Sequence, residues 1–480
     1  MTMPPVVFDS RLATKGCTFV AIPGAKDDGA RFVGDAVARG ATTVVAANDA
    51  VLGQLPPNVR LIRVANPRAE LSRLASDFYG NPSKRLRVYA VTGTNGKTTT
   101  AGLVRDILNA AGMKCGLLST VEYSWPGHRE DASHTTPNPV ALQAALAAMA
   151  DAGCAAAAME ASSHALDQDR AAAVTFAAAG FTNLTQDHFD YHHGFEDYFL
   201  CKRKLFKRLG EASPGAPAAI NADDAYGRRL IAECQDLGVR AIPYSIAAGT
   251  AADVRAEGIS ASATGTAFTL VAFGGRTPVT TRLIGEYNVS NILCAAAMAA
   301  ATGIPLDTVA AAVAAAGPRW GRLEPFDTPS GARVFVDYAH SPDAITRALA
   351  ALRPVTKGRL LAVFGCGGDR DRAKRPLMAR AAAQAADFVI ITSDNPRSED
   401  PEAIIDEAVV GFDGSATPWR RIADRREAIA AAIAEARDGD SVLIAGKGHE
   451  NYQEIKGVRH HFDDRETVRS LCTAMSASPN

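Results

Sequence analysis

Short apolar runs alternate with longer segments of helical spacing through the first part of this chain. CTFVAI, ATTVVA and VRLIRV have the composition of strands, and ARFVGDAVARG and PRAELSRLASDFYG have the spacing of helices. Strands that alternate with helices predict a small α/β unit over residues 1–86. The segment GNPSKRL at its end is rich in turn-forming residues and predicts a link.

A second block, over residues 87–318, continues the alternation. LRVYAV, CAAAAME and FAAAGFTNL are predicted strands, and PVALQAALAAMADAG and YNVSNILCAAAMAAATG are predicted helices. Residues 253–283 differ, because polar and apolar positions alternate between turns, which predicts an antiparallel addition to the sheet. GPRWGRLEPF, rich in glycine, proline and arginine, predicts a second link.

The third block, over residues 319–480, contains the apolar runs ARVFVDYA, RLLAVFG, ADFVIIT and DSVLIAG. Helical segments separate them, as in a parallel sheet covered by helices. A length of 480 residues agrees with about three domains. We therefore predict an α/β fold with three domains, 1–86, 87–318 and 319–480.

A glycine-rich turn follows the first strand of the second block. VTGTNGKTTT leads from that strand into a helix, and a strand, a glycine turn and a helix that opens on Lys-Thr predict a loop that binds the phosphates of ATP or GTP. Lys97 supplies a positive charge for the terminal phosphates, and Thr98 supplies a hydroxyl for Mg²⁺. The loop is shorter than the usual pattern, which has a glycine where Val91 stands. The predicted loop residues are Gly93, Thr94, Asn95, Gly96, Lys97, Thr98 and Thr99.

Composition restricts the partners of the chain. Lys and Arg number 51 and Asp and Glu 52, so the net charge of −1 predicts neither nucleic-acid binding nor attraction to a membrane surface. The start of the chain lacks the charged and apolar regions of a signal peptide, and the alanine-rich runs are too short to span a bilayer. We expect a cytoplasmic protein whose cysteines are reduced and buried.

Two polar motifs at predicted strand ends are candidates for a metal site. Glu160 ends the strand CAAAAME, where a carboxylate beside a phosphate loop can hold Mg²⁺, although it could instead stabilise the start of the next helix. TNLTQDHFDYHHG, over residues 182–194, predicts an active-site loop in which His188 is the favoured residue, and a surface loop is the alternative. Lys202 and Lys204 follow on a helix, where solvated lysines are the alternative.

Charged turns follow four predicted strands of the third block. They are VDYAHSPDAI with Asp337, FGCGGDRDRAKRP, ITSDNPRSEDP with Arg397, and AGKGHENYQ. Since the carboxyl ends of parallel strands meet at one edge of a sheet, these turns should converge in one crevice. Arg397 can bind a carboxylate through two parallel hydrogen bonds.

The motifs, in their order along the chain, resemble those of the Mur ligases. GTNGKTTT, TTPN, EASSHAL, NLTQDHFDYH, YNVSN, GRLE, DYAHSPDA, GCGGDRDRAKRP, DNPRSEDP and GKGHENYQ cover essentially the whole chain. The resemblance implies a UDP-binding domain, a central ATPase and a C-terminal Rossmann-like domain. It also implies an ATP-dependent, amide-forming ligase of peptidoglycan precursor synthesis.

The resemblance also assigns residues to ATP and to metal. Lys202 aligns with the family's carbamylated lysine, in which CO₂ turns an ammonium into a carboxylate-like metal bridge, and with Lys97 and His188 it makes up the predicted catalytic set. The ATP residues outside the loop are then Asn288, Asn291, Arg322 and Asp337. The residues implied to hold Mg²⁺ are Thr98, Glu160, His188 and Lys202.

Two further sets of residues match the family's substrate sites. The residues that match the site of the UDP-muramoyl dipeptide are Phe8, Ser10, Thr135, Thr136, Ser162, Gln168 and Arg170, with the turn 25–27 at the uridine. The residues that match the amino-acid site are Arg370, Asp394, Asn395, Pro396, Arg397, Gly446 and Glu450. In this family the motif DNPR marks the use of meso-2,6-diaminopimelate.

The implied reaction has two steps. The D-glutamyl γ-carboxylate of UDP-MurNAc-L-Ala-D-Glu takes the γ-phosphoryl group of ATP, and the amine of diaminopimelate then displaces phosphate. We expect a monomer that acts on small molecules, without nucleic acid or membrane insertion. Two alternatives stay open: a folylpolyglutamate-type ligase, which needs neither the first block nor DNPR, and a nucleotide-binding switch, which needs no third domain with charged strand ends.

Overall fold

The computed structural model describes residues 5–24, 27–262, 264–318 and 321–477. Its first elements are β1 (Val6–Val7), β2 (Thr18–Val20), α1 (Val33–Ala38), β3 (Thr43–Ala47), β4 (Arg60–Val64) and α2 (Pro67–Phe78). The strands form a parallel sheet in the order β1-β2-β3-β4. Helix α2 begins where the Asn66 side chain accepts hydrogen bonds from the next N–H groups and Pro67 has no N–H to satisfy.

The central part of the chain forms a larger α/β unit. Its elements are β5 (Arg87–Thr92), α3 (Lys97–Ala110), β6 (Cys115–Leu118), β7 (Glu122–Trp125), β8 (His128–Asp131), α4 (Pro139–Asp151), β9 (Ala156–Glu160), α5 (Ser163–Asp167), β10 (Phe176–Phe181), α6 (Phe195–Ala212), β11 (Pro217–Asn221), α7 (Ala225–Glu233), β12 (Arg240–Ser245), β13 (Val254–Ser262), β14 (Gly265–Ala272), β15 (Gly275–Thr281), α8 (Glu286–Ala300) and α9 (Leu306–Ala315).

These strands belong to one sheet in the order β15-β14-β13-β12-β11-β10-β5-β9-β6-β7-β8. Helices α3, α8 and α9 cover one face and α4, α6 and α7 the other, so the middle strands are buried on both sides. Alanines fill β9 and β10, and their small side chains leave room for helices on both faces. The antiparallel pairs β13–β14 and β14–β15 confirm the addition predicted over 253–283.

The last part of the chain forms a third sheet with helices on both faces. Its elements are β16 (Glu324–Asp327), β17 (Arg333–Asp337), α10 (Pro342–Leu352), β18 (Leu360–Cys366), α11 (Lys374–Ala385), β19 (Phe388–Ser393), α12 (Pro401–Val409), β20 (Trp419–Arg421), α13 (Arg425–Glu435), β21 (Ser441–Ala445), β22 (Tyr452–Ile455), β23 (Val458–His461) and α14 (Asp464–Ala477). The sheet order is β16-β17-β21-β18-β19-β20, and β22 and β23 form a separate hairpin.

The convergence of four charged turns is confirmed. Strands β17, β21, β18 and β19 are neighbours and run parallel, with Asp337 paired to Ala445 and Cys366 to Ser393. Their carboxyl ends therefore lie along one edge of the sheet and direct the turns after them into one region. The predicted α/β class is also found, since three α/β units follow one another along the chain, beside the separate β22–β23 hairpin.

Some predicted boundaries are wrong. The helix predicted from residue 30 begins at Val33, after a 3-10 turn over Gly29–Phe32. The strand FAAAGFTNL ends at Phe181, because the next residues leave the sheet to bond the phosphate loop. The hairpins β7–β8 and β22–β23 are absent from the predicted elements.

The predicted domain limits at 86/87 and 318/319 stay predictions, and residues 319 and 320 lie outside the described part of the chain. Seven of the eight cysteines are buried, as predicted, whereas Cys472 is half-buried. No helix within the described ranges is both long and apolar enough to cross a membrane.

Candidate functional site

The phosphate loop has a backbone that only glycine adopts readily. Gly93 and Gly96 have φ of +147° and +88°. A Cβ on Gly93 would collide with the Thr182 hydroxyl, and one on Gly96 with the Asn291 side chain. The loop is held from the neighbouring strand end, since Thr182 Oγ1 donates to Asn95 O at 2.6 Å and Thr94 N donates to Asn183 O at 2.9 Å.

Lys97 opens α3 and is turned back onto the loop. Its Nζ donates to the backbone carbonyls of Gly93 at 3.0 Å and Thr94 at 2.8 Å. Burial lowers the pKa of Lys97, while the carboxylates of Glu160 and Asp187 oppose that shift. Phosphate oxygens that enter the loop can therefore replace neutral carbonyls as the partners of this cation.

The residues predicted to hold Mg²⁺ line a single cavity. Glu160 is 1% exposed at the end of β9, and its two oxygens accept hydrogen bonds from the Thr120 N–H at 2.7 Å and the Thr120 hydroxyl at 3.1 Å. Thr98 Oγ1 accepts a hydrogen bond from Arg322 Nη2 at 3.1 Å. A carboxylate and a hydroxyl that face one cavity are the oxygen donors that suit Mg²⁺.

His188 lies on the same cavity in a left-handed conformation, with φ of +57°. Asp187 lies beside it, with Oδ2 at 3.4 Å from His188 Nε2, and the His164 ring approaches edge-on with centroids 4.9 Å apart. Burial lowers the pKa of His188, although Asp187 opposes the shift. The ring is therefore neutral at pH 7, which is the form that can accept a metal or a proton.

Lys202 is buried on α6, with 1% of its surface exposed. Its Nζ donates to Gly93 O at 2.8 Å and lies 4.2 Å from the centre of the Tyr198 ring. Burial holds the pKa of Lys202 well below its usual value, and the nearby Lys97 cation adds to this shift. The structure thus favours a neutral amine here, in direct contact with the phosphate loop.

The remaining predicted ATP residues enclose the same cavity from α8 and from the third unit. Asn288 and Asn291 are buried and joined by a hydrogen bond of 3.3 Å. Asp337 accepts the N–H groups of Leu323 at 2.7 Å and Ala339 at 2.8 Å, and burial raises its pKa. Arg322 Nε is buried and has no hydrogen-bond partner within the described ranges, so it is open to a ligand.

Five predicted dipeptide residues form one hydrogen-bond network. Thr136 Oγ1 donates to Glu160 O at 2.8 Å and accepts from Ser162 N at 3.1 Å. Arg170 donates to Thr136 O at 2.8 Å and to Gln168 Oε1 at 2.8 Å. Thr135 joins through its hydroxyl, 3.1 Å from that of Thr120. The network therefore continues directly into the carboxylate of Glu160.

The other dipeptide residues belong to the first unit. Phe8 follows β1 and is 36% exposed, whereas Ser10 is buried. Of the predicted uridine turn 25–27, residues 25 and 26 lie outside the described part of the chain. This unit contacts the network through Ser72, whose hydroxyl donates to Arg170 O at 3.4 Å.

The predicted amino-acid residues cluster at the ends of β19 and β21. Lys447 is fully buried there, with Nζ at 3.1 Å from Asn395 Oδ1 and 3.5 Å from oxygens of both Asp394 and Glu450. Asn395 Nδ2 also donates to Glu450 Oε2 at 2.9 Å. Burial and the Asp394 charge raise the pKa of Glu450. Burial also acts to raise the pKa of Asp394, but the charges around it, with Lys447 the largest, together lower that pKa.

Arg397 follows this cluster with φ of +53° and donates from Nη1 to Gly368 O at 2.6 Å. The Pro396 carbonyl lies so close to Gly368 that a Cβ there would collide with it. Gly446 has φ of +122° and donates its N–H to Asp337 O at 3.1 Å. Arg370 extends across the cleft toward Asp190, at 4.0 Å.

Two adjoining cavities connect these groups. The first contains the phosphate loop. The second, of about 960 Å³, is lined by Arg370, Glu450 and four of the predicted dipeptide residues, which are Thr135, Thr136, Ser162 and Arg170. Both are lined by Thr120, Thr135, Ser162, His188 and Tyr338. His449 Nδ1 is buried without a partner in the described structure, and His449 lines the second cavity.

Sequence analysis missed two residues of this site. Thr120 holds both oxygens of Glu160, yet nothing in the surrounding STVEYSW marks it. Lys447 stands inside the charged turn AGKGHENYQ, so its position is visible in the sequence, but its burial among two carboxylates is not. Lys204, for which a solvated side chain was the alternative prediction, forms an ion pair with Asp167 at 2.8 Å, and its side chain is 39% exposed.

Comparison with known families gives two matches. The Mur ligase middle domain matches residues 91–299, and the Mur ligase glutamate ligase domain matches residues 321–448. Together they cover most of the chain.

Several characterised proteins are similar over nearly their whole length. The UDP-N-acetylmuramoyl-L-alanyl-D-glutamate--2,6-diaminopimelate ligases of Synechococcus elongatus and Pseudomonas aeruginosa are 46% and 44% identical, over 96% and 98% of this chain and 92% and 95% of theirs. A solved structure of an enzyme with that name matches with a TM-score of 0.71 and 36% identity, over 99% of this chain and 95% of that one. The ADP complex of a Thermotoga maritima MurF ligase has a TM-score of 0.64 at 17% identity, over 98% of both chains, which shows a shared fold.

Proposed function

This chain belongs to the Mur ligase family, and from that premise we propose that it joins meso-2,6-diaminopimelate to UDP-N-acetylmuramoyl-L-alanyl-D-glutamate at the expense of ATP. The observation that carries the proposal is the junction of the two cavities. A carboxylate held at Thr135 and Ser162 would lie between the phosphate loop on one side and Arg370 and Glu450, which line the second cavity, on the other.

We assign the first cavity to ATP. The N–H groups of the loop and the Lys97 ammonium would bind its phosphates, and Asn288 and Asn291 would face its nucleoside. Arg322, whose Nε lacks a partner in the described ranges, would bind phosphate oxygens from the third unit. These groups are fixed before ATP arrives and can stabilise the charge that develops on the transferred phosphoryl group.

The donor set of the cavity fits Mg²⁺. Glu160 and Thr98 supply oxygens, and His188 supplies a neutral ring nitrogen. When bound, Mg²⁺ would neutralise phosphate charge and so ease the approach of an anionic carboxylate. A protonated Lys202 would repel the ion, and the lowered pKa of Lys202 removes that conflict.

The same neutral amine supports carbamylation of Lys202. An unprotonated amine attacks CO₂, whereas an ammonium cannot, and burial lowers the pKa of Lys202 and so favours the unprotonated form. The product gains a negative charge and two oxygens, and loses one proton to solvent. The carbamate oxygens of Lys202 would then join Thr98, Glu160 and His188 as the fourth group that holds Mg²⁺.

The chemistry follows from the order of the sites. The D-glutamyl γ-carboxylate attacks the γ-phosphorus of ATP, ADP leaves, and an acyl phosphate forms. The amine of diaminopimelate attacks the acyl carbon, and the tetrahedral intermediate expels phosphate. Asp394 and Glu450 would hold the distal ammonium and Arg397 and Arg370 the distal carboxylate, which directs the other amine toward the acyl group.

Contacts across the cleft would exclude water from the acyl phosphate. Asn95 Nδ2 donates to Asp343 Oδ2 at 3.0 Å, and Arg322 reaches Thr98. These bonds join the phosphate loop to the third unit and hold the cleft together around its ligands.

Phosphate release tests the proposed function. We expect release only when ATP, the UDP-muramoyl dipeptide and diaminopimelate are all present, and far less with L-lysine in place of diaminopimelate. Turnover of ATP alone would support a switch, and turnover with folate and glutamate would support a folylpolyglutamate-type ligase. Either result would overturn the proposal.

The proposal also includes the cellular compartment and the oligomeric state of the enzyme. The substrates are small and water-soluble, so we place the reaction in the cytoplasm and expect a monomer. Sedimentation of the purified chain at micromolar concentration tests the monomer directly.

A further inference from the structure

Three side chains with different metal-binding atoms meet beside the cleft, apart from the residues assigned to Mg²⁺. His192 lies near the end of the loop 182–194, and Asp197 and Cys201 lie four residues apart on one face of α6. We propose that they form a binding site for a thiophilic divalent cation such as Zn²⁺.

The distances suit such a site. His192 Nδ1 and Asp197 Oδ2 are 3.4 Å apart, Cys201 Sγ and Asp197 Oδ1 are 4.0 Å apart, and the three ligand atoms all lie within 4.8 Å of one another. Donors around tetrahedral Zn²⁺ are separated by roughly 3.3–3.7 Å. A bound ion would therefore draw the three side chains together by about 1 Å, and the Asp197 side chain, 45% exposed, has room to move.

Neighbouring groups already orient the ligands. Ser163 Oγ lies 2.9 Å from His192 Nε2, so the other ring nitrogen is left to face Asp197 and Cys201. Asp167 Oδ1 lies 3.6 Å from the Cys201 sulfur and is itself paired with Lys204. Asp167 thus offers a nearby oxygen for a fourth position, which water can otherwise fill.

The donor types decide which ion is bound. A thiolate and an imidazole prefer Zn²⁺ to Mg²⁺, whereas the Glu160 and Thr98 oxygens prefer Mg²⁺ to Zn²⁺. On binding, the Cys201 thiol gives its proton to solvent and the resulting thiolate coordinates the ion. The two kinds of site therefore differ in selectivity although they lie close together.

Occupancy would reach the cleft through two contacts. The His192 ring stacks on the Tyr198 ring, with centroids 4.8 Å apart, and Lys202 Nζ lies over the same Tyr198 ring. The N–H of His192 also donates to His188 O at 2.9 Å. Since a bound ion would shift His192, we expect Zn²⁺ to inhibit ligation, and this consequence rests on the proposed function.

Calorimetry with the full chain, saturating Mg²⁺ and no nucleotide tests the site itself. We expect one equivalent of Zn²⁺ to bind, and Co²⁺ to give a thiolate-to-metal charge-transfer absorption. Cys201→Ala should weaken Zn²⁺ binding on the order of 100-fold or more, since loss of an outer partner alone costs 10- to 100-fold. Cys234→Ala, which removes a buried thiol from the end of α7, is the control and should bind as wild type.

Absence of stoichiometric binding, or equal affinity in the Cys201 variant, would overturn the site. If that variant does not fold, a Co²⁺ complex of the wild type without thiolate absorption overturns it instead. Binding without inhibition would overturn only the link to Lys202. No substrate is present in the calorimeter, so failure of the proposed ligase function would leave this test intact.

Discussion

Two lysines are buried at the two ends of the cleft, and their surroundings differ. Lys202, 1% exposed, donates to the neutral carbonyl of Gly93, and it has no ion pair within the described residues. Lys447, with no exposed surface, lies among Asp394, Asn395 and Glu450. The same side chain is thus buried once beside another cation, Lys97, and once between two carboxylates.

The difference determines what each lysine can do. Desolvation without a counter-charge favours the neutral amine, so Lys202 is available for reaction with CO₂. A lysine that lies 3.5 Å from each of two carboxylates, as Lys447 does, instead holds those carboxylates in place. We therefore infer that Lys202 acts in phosphoryl transfer, whereas Lys447 positions the groups that select the amino acid.

Replacement of Lys202 should have the largest effect. Lys202→Ala should lower the ligation rate on the order of 10²-fold or more, because a group that stabilises phosphoryl transfer is lost. Bicarbonate should not restore activity, whereas small carboxylic acids should restore part of it. Steady-state phosphate release measures this, with Lys207→Ala, an exposed lysine on the same helix, as the control. Full activity without added acid would rule out a bridging role.

Replacement of Lys447 should act on the amino acid instead. Lys447→Met leaves two carboxylates close together without their cation, so we expect the KM for diaminopimelate to rise roughly 10- to 100-fold. The KM for ATP should change little, which a general loss of structure would not produce. The control is Lys456→Met, an exposed lysine in the turn between β22 and β23. Equal changes in both KM values would contradict a positioning role.

Arg397 tests the selection of the amino acid. Lysine lacks the distal carboxylate, so its binding would leave the Arg397 charge unpaired, at a cost of about 2–5 kcal/mol. Arg397→Ala should raise the KM for diaminopimelate and reduce the difference in KM between diaminopimelate and lysine. Arg380 is exposed on α11, and Arg380→Ala should change neither quantity. Asp394 should matter for both amino acids. A variant at 397 that discriminates as well as wild type would show that DNPR selects in another way.

The smallest change in stability or activity is expected at an ion pair whose carboxylate, Glu399, lies two residues after the DNPR motif. Glu399 pairs with Arg375, which lowers the pKa of Glu399 from near 4.5 to about 2. The stabilisation is therefore complete above about pH 4.5 and is lost as the pH falls toward 2. Glu399→Gln should cost roughly 1 kcal/mol of unfolding free energy at pH 7 and almost nothing at pH 2. Urea unfolding at both pH values measures this, and a pH-independent difference would refute it.

Most of the features that were predicted correctly from the sequence depend on short contiguous motifs. The strand, glycine turn and helix around Lys97 are contiguous, and the positive φ of Gly93 and Gly96 is a property of those residues themselves. The convergence of the four charged turns followed from the rule for parallel strands and is confirmed. The hairpin β22–β23 was not predicted, because β23 is exposed, β22 is only half-buried, and neither strand has an apolar alternation.

The sequence by itself determined the phosphate loop, the α/β class, and the membership of the family, since each depends on contiguous residues or on their order. Only the tertiary structure decided the chemistry of the two lysines. Lys202 meets Gly93 across 109 positions and Lys447 meets Asn395 across 52, and neither residue's neighbours in sequence reveal those partners. The reason is physical: burial and the groups around an amine control its chemistry, and the Gly93 carbonyl beside Lys202 and the Asp394 carboxylate beside Lys447 both come from distant parts of the chain.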